Sequence, residues 1–172
     1  MTDHHDIEPT EPGTAWLFGD DIDTDQIIPS RFLVTSDPEE LGEHAFNDLR
    51  PEFASGVESG DFVVGGHNFG SGSSREHAPL SLLGAGVDGV VAQSFARIFY
   101  RNGINLGLPV LICPEAGRID DGDEISLRLD EGVVHNHTTG EQYDADPLPP
   151  FLQRLVDSGG LEPYTRAKIA DE

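Results

Sequence analysis

The densest run of side chains able to do chemistry lies between Gly65 and Pro79 and reads G-G-H-N-F-G-S-G-S-S-R-E-H-A-P. Glycines at this density let the backbone enter left-handed and crowded conformations and leave its N–H groups uncovered, so those amides can face an anion. Ser73, Ser74, Arg75 and Glu76 match the S-x-x-E capping box, which predicts a helix opening here. The free N–H groups of its first turn, its positive end and the five-donor fork of Arg75 would receive a carboxylate or a phosphate. Pro79 supplies no amide and clashes with the carbonyl four residues back, so either the first turn is distorted or the regular helix begins nearer Pro79. The same residue types are also the ordinary material of a tight turn whose serines cap and whose arginine is a surface charge.

Four other clusters invite chemical readings. Asp21, Asp23 and Asp25 form a D-x-D-x-D run, but Gln26 stands where a calcium loop needs glycine and Phe32 where it needs glutamate. Local Asx turns are the expected use of these carboxylates. Arg97 and Arg101 are four apart and share a helical face, which suits an anion site or pairing with nearby carboxylates equally. His135 and His137 share a strand face without a third ligand at usable spacing, and His4 and His5 are adjacent in a polar terminus. No phosphate-binding loop of the G-x-x-x-x-G-K-[S/T] type, complete G-x-G-x-x-G or G-x-S-x-G elbow is present.

The G-S-S-R-E-H-A-P, D-I-D-T-D-Q-I-I-P and S-F-A-R-I-F-Y-R-N-G-I-N-L-G-L-P stretches together resemble the aconitase superfamily small domain. In a chain this short, they are similar to the separate small subunits of 3-isopropylmalate dehydratases. The resemblance spans Asp20 to Pro109 and implies a compact α/β fold, the swivelling β/β/α domain. It implies a hydro-lyase that interconverts 2- and 3-isopropylmalate by dehydration and rehydration in leucine biosynthesis, active only with a large subunit that carries a [4Fe-4S] cluster. By the same resemblance Ser73 is the proton-abstracting base, Ser74 and Arg75 bind a substrate carboxylate, and Asp25 orients a histidine of the partner chain. Arg31 to Thr35, R-F-L-V-T, corresponds to a loop that selects the substrate's side chain. Val34 stands where similar homoaconitases tend to carry arginine, which favours an alkyl substituent, while Arg31 is placed to bind an anion. Many bacterial members have cysteine where this chain has Ser71. Homoaconitase, citramalate or methylmalate isomerase, and a noncatalytic anion-binding module are the alternative readings.

The elements that must position these residues follow from patterning. Ala15–Phe18, Asp61–Gly66, Gly86–Gln93 and Leu108–Cys113 read as strands, with a helix over Ser94–Arg101 whose Phe95, Ile98 and Phe99 face the core. This strand and helix alternation with Val-rich strands predicts a parallel α/β unit. Asp37 or Ser36 would cap a helix ending around Leu49–Pro51. Gly122–Leu129 and Gly132–His137 predict a hairpin, and Phe151–Val156 an amphipathic helix stopped by Gly159 and Gly160. Residues 1–13 read as a flexible arm, 14–163 as one domain and 164–172 as a polar tail.

With 172 residues the chain is long enough for one real core. It carries 32 acidic against 10 basic residues, a formal charge of -22, and Lys168 is its only lysine. Such a surface repels nucleic acid and anionic membranes, and its dispersed carboxylates predict a salt-loving source. Cys113, the only cysteine, sits in an apolar run and is expected in the core. A lone thiol provides neither an intrachain disulfide nor a self-contained iron-sulfur or Cys-rich zinc site, so no metal or cofactor is expected on this chain. With neither a membrane-length apolar stretch nor a leader pattern, the cytoplasm is the expected compartment.

Overall fold

The computed structural model describes residues 10–72 and 76–170. One seven-stranded sheet runs through it, and its order shows two halves joined at the first strand. Strand β1 (Gly13–Leu17) pairs in parallel with β2 (Phe62–Gly65), which continues in parallel to β3 (Gly89–Ala92) and β4 (Val110–Ile112). On its other edge β1 pairs antiparallel with β5 (Glu124–Arg128), followed by β6 (Val133–Asn136) and β7 (Gln142–Asp144). The chemistry of the two halves differs as their surroundings require. β2 and β3, F-V-V-G and G-V-V-A, are buried along their whole length, as strands covered on both faces must be. β6 alternates half-exposed Val133 and His135 with buried Val134 and Asn136, the pattern of a sheet with one wet face.

Seven helices accompany the sheet among the described residues: α1 (Thr24–Ile27), α2 (Pro38–Gly42), α3 (Glu52–Gly56), α4 (His77–Gly84), α5 (Arg97–Asn105), α6 (Pro150–Asp157) and α7 (Leu161–Ala170). Asp37 caps α2 by accepting from the Glu39 amide at 3.1 Å, with Pro38 in the first turn as the sequence predicts. The helix nevertheless stops at Gly42 and does not reach Leu49. Phe46 adopts φ 56° and gives its N–H to the carbonyl of Ile27 at 2.7 Å, so a long-range backbone bond replaces the next helical turn. That backbone turn places the Phe46 ring 4.0 Å from Phe18 and 5.0 Å from Phe53, an aromatic centre that no local pattern encodes.

The structure corrects three further expectations. Thr10 donates to the Leu127 carbonyl at 3.0 Å and its hydroxyl accepts from the Leu127 amide at 2.9 Å, so the chain is attached to β5 from Thr10 onward. Only residues 1–9 of the expected arm, with His4 and His5, lie outside the described residues. The expected polar tail is largely α7, with Pro163 in its first turn, where no intrahelical amide is needed, and an ion pair between Glu162 and Arg166. Ile98 is 38 % exposed and not a core residue, whereas Phe99 on the neighbouring face is buried.

Close approach between α2 and α4 depends on Gly84, because a Cβ there would stand 1.6 Å from the backbone oxygen of Pro38. Backbone cannot yield as a side chain can, so Gly84→Ala must push the two helices apart. It is expected to lower unfolding free energy by about 1–3 kcal/mol, read from the denaturant midpoint.

Candidate functional site

Strand β2 ends at Gly65 and delivers the glycine-rich turn to the top of the parallel half-sheet, where two other segments grip it. On one side lies the aspartate run. Gly66 donates to the Gly19 carbonyl at 3.1 Å, Asp21 to that of His67 at 2.8 Å, Gly70 to that of Ile22 at 2.6 Å, and Thr24 to that of Ser71 at 2.7 Å. Asp20 reinforces this seam, its Oδ1 accepting from the His67 amide at 2.8 Å. On the other side lies the segment leading into α5. Phe69 donates to the Ser94 carbonyl at 3.0 Å, Ala96 returns a bond to Phe69 at 2.9 Å, and Ser94 Oγ accepts from the Asn68 amide at 2.8 Å.

Glycine is required where these segments touch. Gly70 has φ +86°, and a Cβ on it would lie 2.3 Å from Cγ of Phe99, whose ring packs edge-on against Phe69 with centroids 5.3 Å apart. Gly72, at φ +106°, then passes 3.1 Å from Oγ1 of Thr24, measured from the position its Cβ would take. The described part of the turn ends at Gly72, beside the start of α1; Ser73, Ser74 and Arg75 lie outside the described residues.

Beyond them the chain re-enters at Glu76, the residue before α4, with helical backbone and no side-chain cap. Because α4 starts at His77, Glu76 occupies the N-cap position and not the third helical position that a Ser73–Glu76 capping box requires. Pro79 is the third residue of α4, within the first turn whose amides have no intrahelical acceptor, so it breaks no bond. Beside it, Nδ1 of His77 is buried without a hydrogen-bond partner among the described residues. A complete capping box exists elsewhere: Asp23 accepts from the Gln26 amide at 2.7 Å, and Gln26 Oε1 accepts from the Asp23 amide at 3.0 Å.

That box starts α1 and with it fixes Asp25, which is exposed in the helix's first turn. Asp25 Oδ1 accepts from the Ser30 amide at 3.0 Å, closing the turn into the next segment. Asp23 and Asp25 thus have local tasks and Asp21 Oδ1 accepts from Asn68 Nδ2 across the seam at 3.2 Å, and among the described residues no group of three His, Cys, Asp or Glu side chains could hold a metal ion. His135 and His137 stack with centroids 4.2 Å apart, and Nε2 of His137 lies 2.8 Å from Ser126 Oγ, a hydrogen-bonded surface pair.

The Arg31–Thr35 segment is held by a layered stack not anticipated from the sequence. The Phe32 ring lies between the Arg31 guanidinium, 4.5 Å from its centroid, and the His44 ring, 4.0 Å away and nearly parallel to it. Asp48 closes the arrangement by taking Arg31 Nη1 at 2.8 Å and Nη2 with its other oxygen. Arg31 is therefore already engaged by a carboxylate, and binding an external anion would require exchanging or sharing it. Val34 projects outward, 91 % exposed. Asp48 was illegible as this partner because it is 17 residues away and its sequence surroundings are ordinary.

Cys113 is buried, and burial pushes its thiol up to about 11. A solitary buried thiol, the only one in the chain, does not fit the donor set of an iron-sulfur cluster. Two measurements follow. The native protein should resist a thiol reagent at pH 8 and react only once unfolded; ready labelling of the folded chain would contradict the burial. Arg31 holds the Asp48 carboxyl down at about 2 against an ordinary 3.8, so their pairing contributes above the unfolded value and is lost as pH falls through about 2. Carboxyl-carbon NMR should report that low midpoint and its return toward the ordinary value in Arg31→Gln.

Comparison with known proteins gives a consistent result. A family model described as the aconitase C-terminal domain matches residues 13–115. The chain is 55 % identical over 155 residues to a 3-isopropylmalate dehydratase small subunit of Archaeoglobus fulgidus, covering 90 % of this chain and 96 % of the relative. It is 54 % identical to the small subunit named for the same enzyme in Methanosarcina mazei, with 92 % and 98 % covered. A crystal structure of 3-isopropylmalate dehydratase from Methanocaldococcus jannaschii superposes with a TM-score of 0.88 at 38 % identity, over 92 % of this chain and 95 % of that one.

Proposed function

The chain belongs to the 3-isopropylmalate dehydratase small subunits of the aconitase superfamily, and from that premise we propose the division of labour at its site. The observation that carries the functional reading is identity above 50 % along nine-tenths of the chain with relatives all named as this subunit. It is the small subunit of a hydro-lyase that acts with a large subunit, isomerising 2- and 3-isopropylmalate in leucine biosynthesis. Water leaves 2-isopropylmalate to give an unsaturated dicarboxylate, and returns with its hydroxyl on the neighbouring carbon.

Two obstacles oppose the reaction: the C–H beside a carboxylate is a very weak acid, and hydroxide is a poor leaving group. A [4Fe-4S] cluster is assigned to the large subunit, in keeping with a donor set here that does not fit one. This chain's contribution is the proton and the carboxylate. Ser73 is assigned as the base, acting as an alkoxide favoured by oriented amides of the glycine turn and by the Arg75 guanidinium in a water-poor cleft. Arg75 holds a substrate carboxylate bidentately and the charge that develops on it, with Ser74 donating a further bond. Asp25, anchored through Ser30, orients a histidine of the large subunit. On the loop that meets the substrate's side chain, Val34 offers an alkyl surface where a third carboxylate would need a cation, which supports isopropylmalate over homoaconitate. Arg31 is assigned to the substrate's periphery, with Asp48 as its resting partner. The cytoplasm is the proposed compartment; among the described residues no helix is long and apolar enough to cross a membrane.

The test is anaerobic reconstitution with the large subunit and assay with 2-isopropylmalate. The pair should isomerise it and the isolated chain should not. Ser73→Ala should lower kcat by about 100-fold or more while the pair still assembles. Turnover by the isolated chain would overturn the subunit assignment, and near-normal turnover of the variant pair would overturn the base and favour a noncatalytic anion-binding role.

A further inference from the structure

Five of the described cations have carboxylate partners: Arg31, Arg50, Arg118, Arg128 and Arg166. Arg154 and Lys168 lie in the last turns of α6 and α7, where the negative helix end favours a cation, and Lys168 also faces the Tyr164 ring at 5.7 Å. Arg97 and Arg101 have neither compensation. Both are exposed on α5 and neither carries an ion pair among the described residues, although the chain has 32 carboxylates to offer. Their spacing of four places two like charges side by side on one helix face, which is unfavourable. Arg97 is the first residue of α5, whose first turn contains no acidic residue to offset it.

Next to Arg97 is Ile98, 38 % exposed, so this face joins an apolar contact to two unanswered guanidinium groups. It is convex, the outer surface of a helix, whereas small ligands are taken in concave sites. Its position is fixed relative to the glycine turn, since Phe69 pairs with Phe95 and accepts from the Ala96 amide immediately before the helix. For a body of charge -22, a local positive face flanked by an apolar residue is where an acidic neighbour meets least repulsion and most complementarity.

We propose that the Arg97–Ile98–Arg101 face of α5 is a docking surface for an acidic patch of the large subunit, with carboxylates of that subunit answering the two arginines. This rests on the two-subunit reading above. Arg97→Glu and Arg101→Glu in the full chain should each weaken assembly with the large subunit by about tenfold or more at low salt. They should also flatten the dependence of Kd on salt, and leave kcat within about twofold once the small subunit is saturating. Arg154→Glu, with the same change of net charge, should leave assembly within about threefold. Arg97→Gln and Arg101→Gln give a milder loss in the same direction if reversal disturbs folding. Unchanged Kd in the variants overturns the surface, as does a raised KM for isopropylmalate with assembly intact, which would make the arginines substrate ligands. A wild-type pair that assembles without isomerising isopropylmalate overturns the proposed function, and leaves the assembly constants to judge this surface separately.

Discussion

The structure depends on a seam of backbone hydrogen bonds that holds the glycine turn between two segments far from each other in sequence. The turn gives its Gly70 amide to Ile22 and its Phe69 carbonyl to Ala96, so residues near 22, 70 and 96 are locked into one surface. Each of these bonds is worth only about 1 kcal/mol net, but leaving any of the groups buried and unpaired would cost more. Glycine permits the seam because side chains would occupy the space that the Asp20 carboxylate and the Phe69 and Phe99 rings now fill. The glycine-rich stretch from Gly65 to Gly72 is thus held largely by main chain, with the Phe69 ring as its main side-chain anchor.

The rest of the fold supplies rigidity to that seam. β2 and β3, buried along their whole length, hold the strand end from which the turn leaves the sheet, and the Phe18, Phe46 and Phe53 cluster joins the segment after β1 to α3. Asp61 shows how the periphery is tied in: one buried carboxylate accepts from the Thr14 amide at 3.1 Å, the Glu58 amide at 2.9 Å and the Trp16 indole at 3.0 Å. Three donors around one group join β1 to the approach of β2 without a second ion. Arg50 does comparable work, pairing with Asp121 in two bonds while lying over Trp16.

An enzyme divided between two chains places unusual demands on electrostatics. The strongly acidic surface keeps the small subunit soluble but opposes any acidic neighbour, so where the few cations stand is a decision about assembly as much as about stability. Among the described residues most are answered by a carboxylate or by the negative end of a helix. Arg97 and Arg101, which carry no ion pair among the described residues, stand on the helix that begins directly after the contact between Phe69 and Ala96.

Much of the site was legible in residue types alone. The glycine density from Gly65 to Gly72, the Val-rich strands and the Asp37–Pro38 helix start each follow from local sterics and hydrogen bonding, which act over a few residues and leave their mark on the sequence. The same holds for the lone Cys113, whose burial a short apolar run already implies. What only the tertiary structure decided is non-local. The break at Phe46 arises from a bond to Ile27, Arg31 is claimed by Asp48, and Gly66 is needed because Asp20 comes within reach, its Oδ1 being 1.9 Å from where a Cβ would stand. Nor could helical spacing say which side of α5 would be wet: it placed Ile98 with Phe99 in the core, but α5 packs through Phe99 and Ile104 and turns Ile98 outward. Periodicity defines faces, and only the packed neighbours decide which face they cover.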